Sequence, residues 1–239
     1  MYTFDGVILN LKFPRNREPA MKKNELARII DHTILKPQTT HEDLEVLCKE
    51  AIEYRFASVC VNPCNVAYVI ERLDGHGVPV CSVAGFPLGA NKTGVKVYEA
   101  ASLLEDGVTE IDMVMNIGAL KNKDYALAER DIKEVRDSIG KDIVLKVIIE
   151  APLLTEEEKI AATRMVISAN ADYVKTATGM NSVGGATVQD VELLKKTANG
   201  KVKVKAAGGI RDYERAMAMV KAGADRIGTS SAVAILLNS

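Results

Sequence analysis

Eight strand-like segments alternate with helical patterns along most of the 239-residue chain. Each strand candidate is a short, mainly apolar run, and helices with an apolar stripe separate the runs. The candidates are residues 31–35, 56–61, 80–84, 110–116, 144–150, 173–178, 202–206 and 226–230. Strands joined by helical connections are parallel, and eight of them in about 215 residues predict a single (β/α)8 TIM barrel. The first strand is the weakest, and without it an open, doubly wound sheet becomes the alternative.

The helices are predicted from apolar periodicity and from signals at their ends. They cover residues 42–55, 92–105, 124–139, 188–197 and 212–222, and a further helix follows Thr155. Two pairs match the capping box, in which a Thr side chain and an acid three residues later cap the first turn. Thr39 pairs with Glu42, and Thr155 pairs with Glu158.

Residues 1–20 differ from the rest of the chain. A short strand candidate is followed by a charged, turn-rich stretch through Pro14 and Pro19, and a new helical pattern opens at Met21. We therefore predict an N-terminal extension, residues 1–20, ahead of one barrel domain, residues 21–239. No linker or low-complexity segment divides that domain.

Charge and composition exclude several classes of partner. Lys plus Arg number 31 and Asp plus Glu 32, for a net charge of −1, whereas a nucleic-acid surface needs a basic excess. Trp is absent and aromatic residues are 5% of the chain, so base-stacking platforms are not expected. No apolar run reaches the ~18–20 residues of a membrane span. The four cysteines form no C-x-x-C pair and, with three histidines, show no metal-ligand spacing. We predict a cytoplasmic protein with reduced thiols and no metal, which binds neither nucleic acid nor membrane.

Alternation along the predicted strands directs charged side chains toward the barrel interior. Successive residues face opposite sides of a strand, and the valine beside Lys205 suits the helix-facing side. The predicted inward-facing set contains Cys60, Asp112, Lys146, Glu150, Lys175, Lys203 and Lys205. A salt bridge would explain one buried lysine, because an unpaired buried charge is costly. Several charges on different strands, near the C-terminal strand ends where this fold has its active sites, instead predict catalysis.

Interior lysines beside a carboxylate indicate carbonyl chemistry. A lysine attacks a carbonyl only when its amine is neutral, and the ordinary pKa of that amine is about 10.4. Burial and a second ammonium nearby both disfavour the charged form. Two lysines with a carboxylate for proton transfer are the components of an enzyme that forms a Schiff base. The spacing does not decide between Lys175 and Lys205 as the nucleophile.

Glycine-rich segments follow the last three predicted strands. They contain Gly179, the glycine pairs at 184–185 and 208–209, and residues 228–231, Gly-Thr-Ser-Ser. Backbone N–H groups and Ser hydroxyls in such loops bind an anion without net positive charge. Because the late strands of this fold commonly bind phosphate, we predict a phosphate site there.

A series of short motifs in fixed order extends over residues 26–236. The motifs are IDHTILKP, SVCVNP, CSVAGFPLG, EIDMVMN, LKVIIEAPLL, YVKTATG, GGAT, VKAAGGIR and IGTSSA. Together they resemble the deoxyribose-phosphate aldolases, a family of class I, Schiff-base aldolases. The resemblance implies a TIM barrel that reversibly cleaves 2-deoxy-D-ribose 5-phosphate to acetaldehyde and D-glyceraldehyde 3-phosphate. It also implies that no metal or organic cofactor is needed.

The same resemblance implies a role for each matching residue. Lys175 would be the Schiff-base nucleophile, Lys205 the second lysine that activates it and assists proton transfer, and Asp112 the proton donor and acceptor. Ala177 and Met180 depart from the family, in which many members have Ser and Phe, but neither removes a catalytic group. The supporting and substrate-binding set would be Asp31, Cys60, Lys146, Gly179, Gly208, Gly209, Ser230 and Ser231.

Two other functions remain open at this point. A different class I lysine aldolase, or a transaldolase, could use the same barrel, although YVKTATG and VKAAGG place lysines on consecutive strands as in the resembled family. A catalytically silent binding barrel predicts the loss of Asp112, Lys175 or Lys205, and all three are present. We expect a small sugar-phosphate substrate and a homo-oligomer, a dimer or tetramer, as is common in that family.

Overall fold

The computed structural model describes residues 21–238, so the predicted extension, residues 1–20, lies outside the described residues. The strands are β1 (Ile30–Ile34), β2 (Ser58–Val61), β3 (Val80–Ala84), β4 (Glu110–Val114), β5 (Val144–Ile148), β6 (Tyr173–Lys175), β7 (Lys203–Ala207) and β8 (Arg226–Thr229). The helices are α1 (Lys23–Ala27), α2 (His41–Tyr54), α3 (Val66–Leu73), α4 (Thr93–Glu105), α5 (Ile117–Lys121), α6 (Tyr125–Ile139), α7 (Glu156–Ser168), α8 (Val188–Ala198), α9 (Tyr213–Lys221) and α10 (Ala232–Leu237).

The strands β1 to β8 pair in chain order into a closed parallel barrel. β1, the weakest strand of the sequence pattern, pairs on both sides, because Asp31 lies opposite Ser58 of β2 and Gly228 of β8. The pairing of β8 with β1 closes the sheet. The predicted (β/α)8 barrel is confirmed, and the alternative of an open sheet is wrong.

Most of the apolar core lies between the barrel and the helices. Outward-facing strand residues such as Ile111, Met113 and Val204 are fully buried in this layer. Burying a side chain of this size stabilises a fold by about 1.5–3 kcal/mol. A second, small apolar cluster lies within the barrel and is formed by Leu35, Cys60, Cys81 and Val83, with Phe86 packed against it.

The two predicted capping boxes have different outcomes. At α7, the Thr155 side chain accepts the Glu158 N–H, and the Glu158 carboxylate accepts the Thr155 N–H, as predicted. At α2 the prediction is wrong by one residue, because Thr40 and Asp43 form the capping box. Thr39 instead donates its hydroxyl to a backbone carbonyl in the preceding turn. Both threonines have an acid three residues later, so the sequence pattern fits either one equally well.

Several strands end earlier than the sequence pattern predicts. β4 ends at Val114, β5 at Ile148 and β6 at Lys175, whereas the predictions extended to residues 116, 150 and 178. The remaining residues form loops at the C-terminal mouth of the barrel. Helices α3 and α5 have no counterpart among the predicted helices. Within residues 21–238, no helix has both the length and the apolar character needed to cross a membrane.

Candidate active site

Four consecutive strands carry charged residues into the barrel. Asp112 lies on β4, Lys146 on β5, Lys175 at the end of β6 and Lys205 on β7, and all four are buried. In the strand register Asp112 is opposite Lys146, and Lys175 is opposite Lys205. Their neighbours, such as Val204, join the outer core. The structure thus brings the four predicted charged residues together.

Asp112 is the centre of this group. Its Oδ2 accepts hydrogen bonds from Nζ of Lys175 at 2.7 Å and Nζ of Lys205 at 2.6 Å. Its Oδ1 accepts from Nζ of Lys146 at 2.8 Å and from the thiol of Cys81 at 3.3 Å. Burial opposes ionisation of this carboxyl, but the three ammonium groups outweigh burial and hold its pKa well below the usual range. Asp112 is therefore ionised at neutral pH.

A second set of ion pairs continues from these residues to the rest of the barrel interior. Asp31 on β1 contacts Nζ of Lys205 and a guanidinium nitrogen of Arg226, each at 2.6 Å. Glu110 on β4 contacts Nζ of Lys146 at 2.6 Å and Arg226 at 3.5 Å. The sequence reasoning missed Glu110 and Arg226. Alternation carried the signal, because each lies two residues before an inward-facing position on its own strand.

The charges in this interior compensate one another. Burial disfavours the charged form of Asp31, but Lys205 and Lys146 outweigh it and hold the pKa of Asp31 well below its usual range. Burial also disfavours the ammonium forms of Lys146 and Lys205, but Asp112 is the main opposing charge that raises both pKa values above the ordinary one. These groups stay ionised at neutral pH as one network.

Cys60 and Asp31, predicted to contact substrate, are fully buried and do not line the cavity, so a ligand in the cavity would not touch them directly. The potential ligand atoms of Cys60, Cys81 and Asp112 lie within 4.8 Å of one another. That spacing would suit a metal ion. However, Nζ of Lys146 already lies 3.3 Å from the Cys81 sulfur, and three ammonium groups hold Asp112. A cation would be repelled there, so we assign no metal to this group.

A cavity of about 250 Å³ opens at the C-terminal end of the barrel. Lys175 lines it and is 3% exposed, whereas Asp112, Lys146 and Lys205 lie beneath it with no exposed surface. Of these four groups, Lys175 is the one that a ligand can touch directly. A lysine amine at this position can attack a carbonyl when neutral, and the adjacent carboxylate can move a proton.

The predicted phosphate loops surround the same cavity. Gly179, Gly208, Gly209 and Ser230 line it, whereas Ser231 lies outside the lining and precedes α10. The three glycines have φ of +77°, +95° and +74°, a region that disfavours other residues. The loops also pack very closely, because a Cβ on Gly185 would lie 2.3 Å from the carbonyl oxygen of Gly208. Four of the five residues predicted to bind phosphate thus line the cavity, and Ser231 does not.

Two cations that the sequence reasoning missed stand at the cavity. Lys36 follows β1 and Arg211 follows the glycine pair after β7, and both are exposed and line the cavity. Their charges favour binding of an anionic ligand. Each lies in a loop, where strand alternation gives no information about side-chain direction.

Glu150 has a different position from the predicted one. It follows β5 in a left-handed backbone conformation, with φ of +52°, instead of extending the strand. Its buried carboxylate accepts the Thr178 hydroxyl at 2.7 Å and the Thr178 N–H at 3.2 Å, and the same hydroxyl accepts the N–H of Met180 at 3.0 Å. Glu150 thus fixes the loop that contains Gly179.

The inward prediction for Lys203 is wrong. Lys203 is the first residue of β7 and is exposed, with its ammonium 5.5 Å from the centre of the Tyr173 ring. Alternation places Lys203 on the same strand face as Lys205, but it takes no account of position along the strand. The first residue of a barrel strand lies at the open N-terminal end, where a lysine can reach water.

Comparison with known proteins agrees with this geometry. Residues 26–238 match the model of the DeoC/LacD family aldolases. The chain is 53% identical over 215 residues to a deoxyribose-phosphate aldolase of Clostridium perfringens. This alignment covers 90% of this chain and 96% of the relative. A Geobacillus deoxyribose-phosphate aldolase is 52% identical over 214 residues, with the same coverage. Among solved structures, the deoxyribose phosphate aldolase of Aeropyrum pernix, described as tetrameric, is 37% identical with a TM-score of 0.84 over 90% of this chain and 91% of that one. An aldolase designated QR15 is 42% identical with a TM-score of 0.85, over 89% of this chain and 95% of that one. The chain belongs to the DeoC/LacD family of aldolases.

Proposed function

We propose that this aldolase reversibly cleaves 2-deoxy-D-ribose 5-phosphate to acetaldehyde and D-glyceraldehyde 3-phosphate. One observation carries the proposal: Lys175 is the buried lysine that faces the cavity, and its Nζ lies 2.7 Å from the Asp112 carboxylate. Curated relatives of this chain at about 52% identity have the name of that activity.

The reaction begins with attack by the neutral amine of Lys175 on the aldehyde carbon of the open-chain sugar. Loss of water gives a protonated imine, which withdraws electrons from the adjacent carbons. A base then removes the proton of the C3 hydroxyl, the C2–C3 bond breaks, and D-glyceraldehyde 3-phosphate leaves. The bond electrons remain on the enzyme-bound fragment as an enamine.

Proton transfer completes the cycle. Asp112 accepts and returns protons, since it contacts the ammonium groups of both Lys175 and Lys205. Protonation of the enamine carbon regenerates an imine, and water hydrolyses this imine to acetaldehyde and free Lys175. Lys205 keeps a positive charge beside the reacting amine, which opposes a second positive charge on Lys175. Lys146 and Asp31 support this network from below.

The substrate phosphate binds at the glycine loops. Gly179, Gly208, Gly209 and Ser230 surround one side of the cavity, and Arg211 adds a positive charge. Backbone N–H groups at such loops can bind a phosphate group that keeps its negative charge. This site favours a phosphorylated sugar over a neutral aldehyde of the same length. Another lysine aldolase or a transaldolase that acts on a phosphorylated substrate remains the second candidate.

We further expect a homo-oligomer, a dimer or tetramer, in the cytoplasm. The Aeropyrum pernix relative is described as tetrameric. The four cysteines, at positions 48, 60, 64 and 81, carry free thiols, which suits a reducing compartment. Size-exclusion chromatography with light scattering measures the state, and a monomer at micromolar concentration would contradict it.

Trapping of the imine tests the mechanism. The protein is incubated with acetaldehyde, reduced with borohydride, digested and mapped by mass spectrometry. We expect a two-carbon adduct on Lys175 and its loss in Lys175→Met, whereas Lys203→Met, an exposed lysine on the neighbouring strand, leaves the adduct unchanged. An adduct on another lysine, or none, overturns the proposal.

A second variant tests the role of Lys205. Lys205→Leu removes the second ammonium from Asp112 without removing the nucleophile. We expect turnover to fall by about 10²–10⁴-fold, the usual contribution of a positioned acid–base group. An unchanged pH–rate profile in this variant would contradict the assigned role.

A further inference from the structure

The fixed charges inside the barrel balance when Lys175 is left out. Three carboxylates and three cations contact one another in this interior and none of them lines the cavity. The six groups are Asp31, Glu110, Asp112, Lys146, Lys205 and Arg226. Lys175 is a seventh ionisable group, and the carboxylate that it contacts, Asp112, is already shared with Lys146 and Lys205. With Lys175 protonated, four cations would share three carboxylates, whereas attack on a carbonyl requires the neutral amine.

We propose that Glu110 and Arg226 are positioning residues for the reaction, because they complete this balance and so determine how readily Lys175 is neutral. The proposal rests on the Schiff-base function proposed above. Neither residue touches the cavity, and neither is needed to hold Asp112 directly. Their contribution is one charge each at the N-terminal side of the network.

The contacts place both residues close enough to act. Contacts of 2.7, 2.8 and 2.6 Å connect Lys175 to Asp112, Asp112 to Lys146, and Lys146 to Glu110. Arg226 joins the same network through its contacts with Glu110 and Asp31. At about 10 Å and an effective dielectric constant near 20, one unit charge shifts a protonation equilibrium by about one pH unit.

Packing alone does not explain the ion pair between Glu110 and Arg226. Interior positions of this fold are usually filled by Val, Ile or Leu, and an apolar pair of similar volume is often as stable as a buried ion pair. Glu110 is 5% exposed and the Arg226 side chain 14% exposed, so both charges are largely removed from water. A role in the charge balance gives a reason for burying Glu110 and Arg226 despite the free-energy cost of removing their charges from water.

Other titratable or charged groups face the same space, and the test leaves each of them in place. From the remaining strands and from the loops at the cavity these groups are Cys60, Cys81, Tyr173, Glu150, Lys36 and Arg211. A shift caused by Glu110 or Arg226 must therefore follow the sign of the charge that is removed.

The experiment measures the pH dependence of imine formation with acetaldehyde by borohydride trapping. Glu110→Gln leaves an excess positive charge, so we expect the pH midpoint to fall by about one unit. Arg226→Gln leaves an excess negative charge, so we expect it to rise by about one unit. The double variant Glu110→Gln/Arg226→Gln restores the balance, and its midpoint should return to within about 0.3 units of the wild type.

Two controls separate charge from structure. Arg226→Lys keeps the charge and should leave the midpoint unchanged. Lys195→Gln removes a positive charge from helix α8, where Lys195 pairs with the solvent-accessible Asp225 just before β8, and should not move the midpoint either. Midpoints that shift in one direction in both single variants, or that do not shift, overturn the inference. The absence of a Lys175 adduct in the wild type would instead overturn the proposed function.

Discussion

The buried ion pair between Lys96 of α4 and Asp131 of α6 gives a sharp test of how this barrel is held together. Both side chains are fully buried, and their charged atoms lie 2.6 Å apart. Asp131 also accepts the Thr93 hydroxyl at 3.0 Å and the Asn116 N–H at 3.1 Å, while Lys96 donates to the carbonyl of Val114 at 2.8 Å. The pair therefore connects two helices to the end of β4.

Lys96→Met keeps the side-chain volume and removes the charge. Removal of one partner from a buried pair costs about 3–5 kcal/mol, because the other charge stays buried without compensation. Two of the three hydrogen bonds to Asp131 persist, so we expect a loss of about 3 kcal/mol in the free energy of unfolding. Adding Asp131→Asn removes the stranded charge, and the double variant should recover about 1–2 kcal/mol of that loss.

Urea unfolding followed by circular dichroism measures these values. The control is Lys133→Met, which breaks an exposed pair with Asp137 on α6, where the two side chains are 57% and 62% exposed. An exposed pair of this spacing contributes about 0.3–0.5 kcal/mol. If Lys96→Met lost no more stability than this control, or if the double variant were less stable than the single one, the argument from the stranded charge would be refuted.

Three further predictions follow from single residues. Gly185→Ala forces the loop away from the Gly208 carbonyl, so KM for the sugar phosphate should rise roughly 10- to 100-fold with a smaller change in kcat, as steady-state kinetics would measure. Thr155→Ala removes the cap of α7 and should cost about 1 kcal/mol in urea unfolding, and no loss would contradict the capping contact. Because the folded pKa of Asp31 is held low, its stabilisation is present above the unfolded pKa of about 3.9 and is lost as pH falls below it. Thermal unfolding between pH 5 and 2 should therefore depend less on pH in Asp31→Asn than in the wild type.

The sequence predicts the barrel well because strand and helix periods are local properties. Alternation also identified Asp112, Lys175 and Lys205 as interior groups, since a side chain on a strand has only two directions. Alternation gives no information about side-chain direction where the chain leaves regular structure. Glu150 turns into a left-handed conformation, and no local pattern distinguishes that turn from one more residue of β5.

The missed partners in the network have a different cause. Glu110 and Arg226 are separated by 116 positions in the sequence, and the closure of the barrel brings them together. Each lies at the start of its strand, where a charged residue is usually assumed to face water. Lys203, at the start of β7, does so. Glu110, Arg226 and Lys203 are each the first residue of a strand, so the contacts made by neighbouring strands decide which of them is exposed.

Charge inside this barrel is compatible with a stable fold because the two faces of each strand have separate functions. On β7, Val204 and Ala206 belong to the apolar layer between strands and helices, whereas Lys205, between them, contacts Asp31 and Asp112. The apolar layer contains most of the buried apolar side chains, so it supplies the main driving force for folding. The interior consequently need not be apolar, provided its charges are paired. Paired charges can then stand beside the reacting amine of Lys175, which a Val, Ile or Leu interior could not provide.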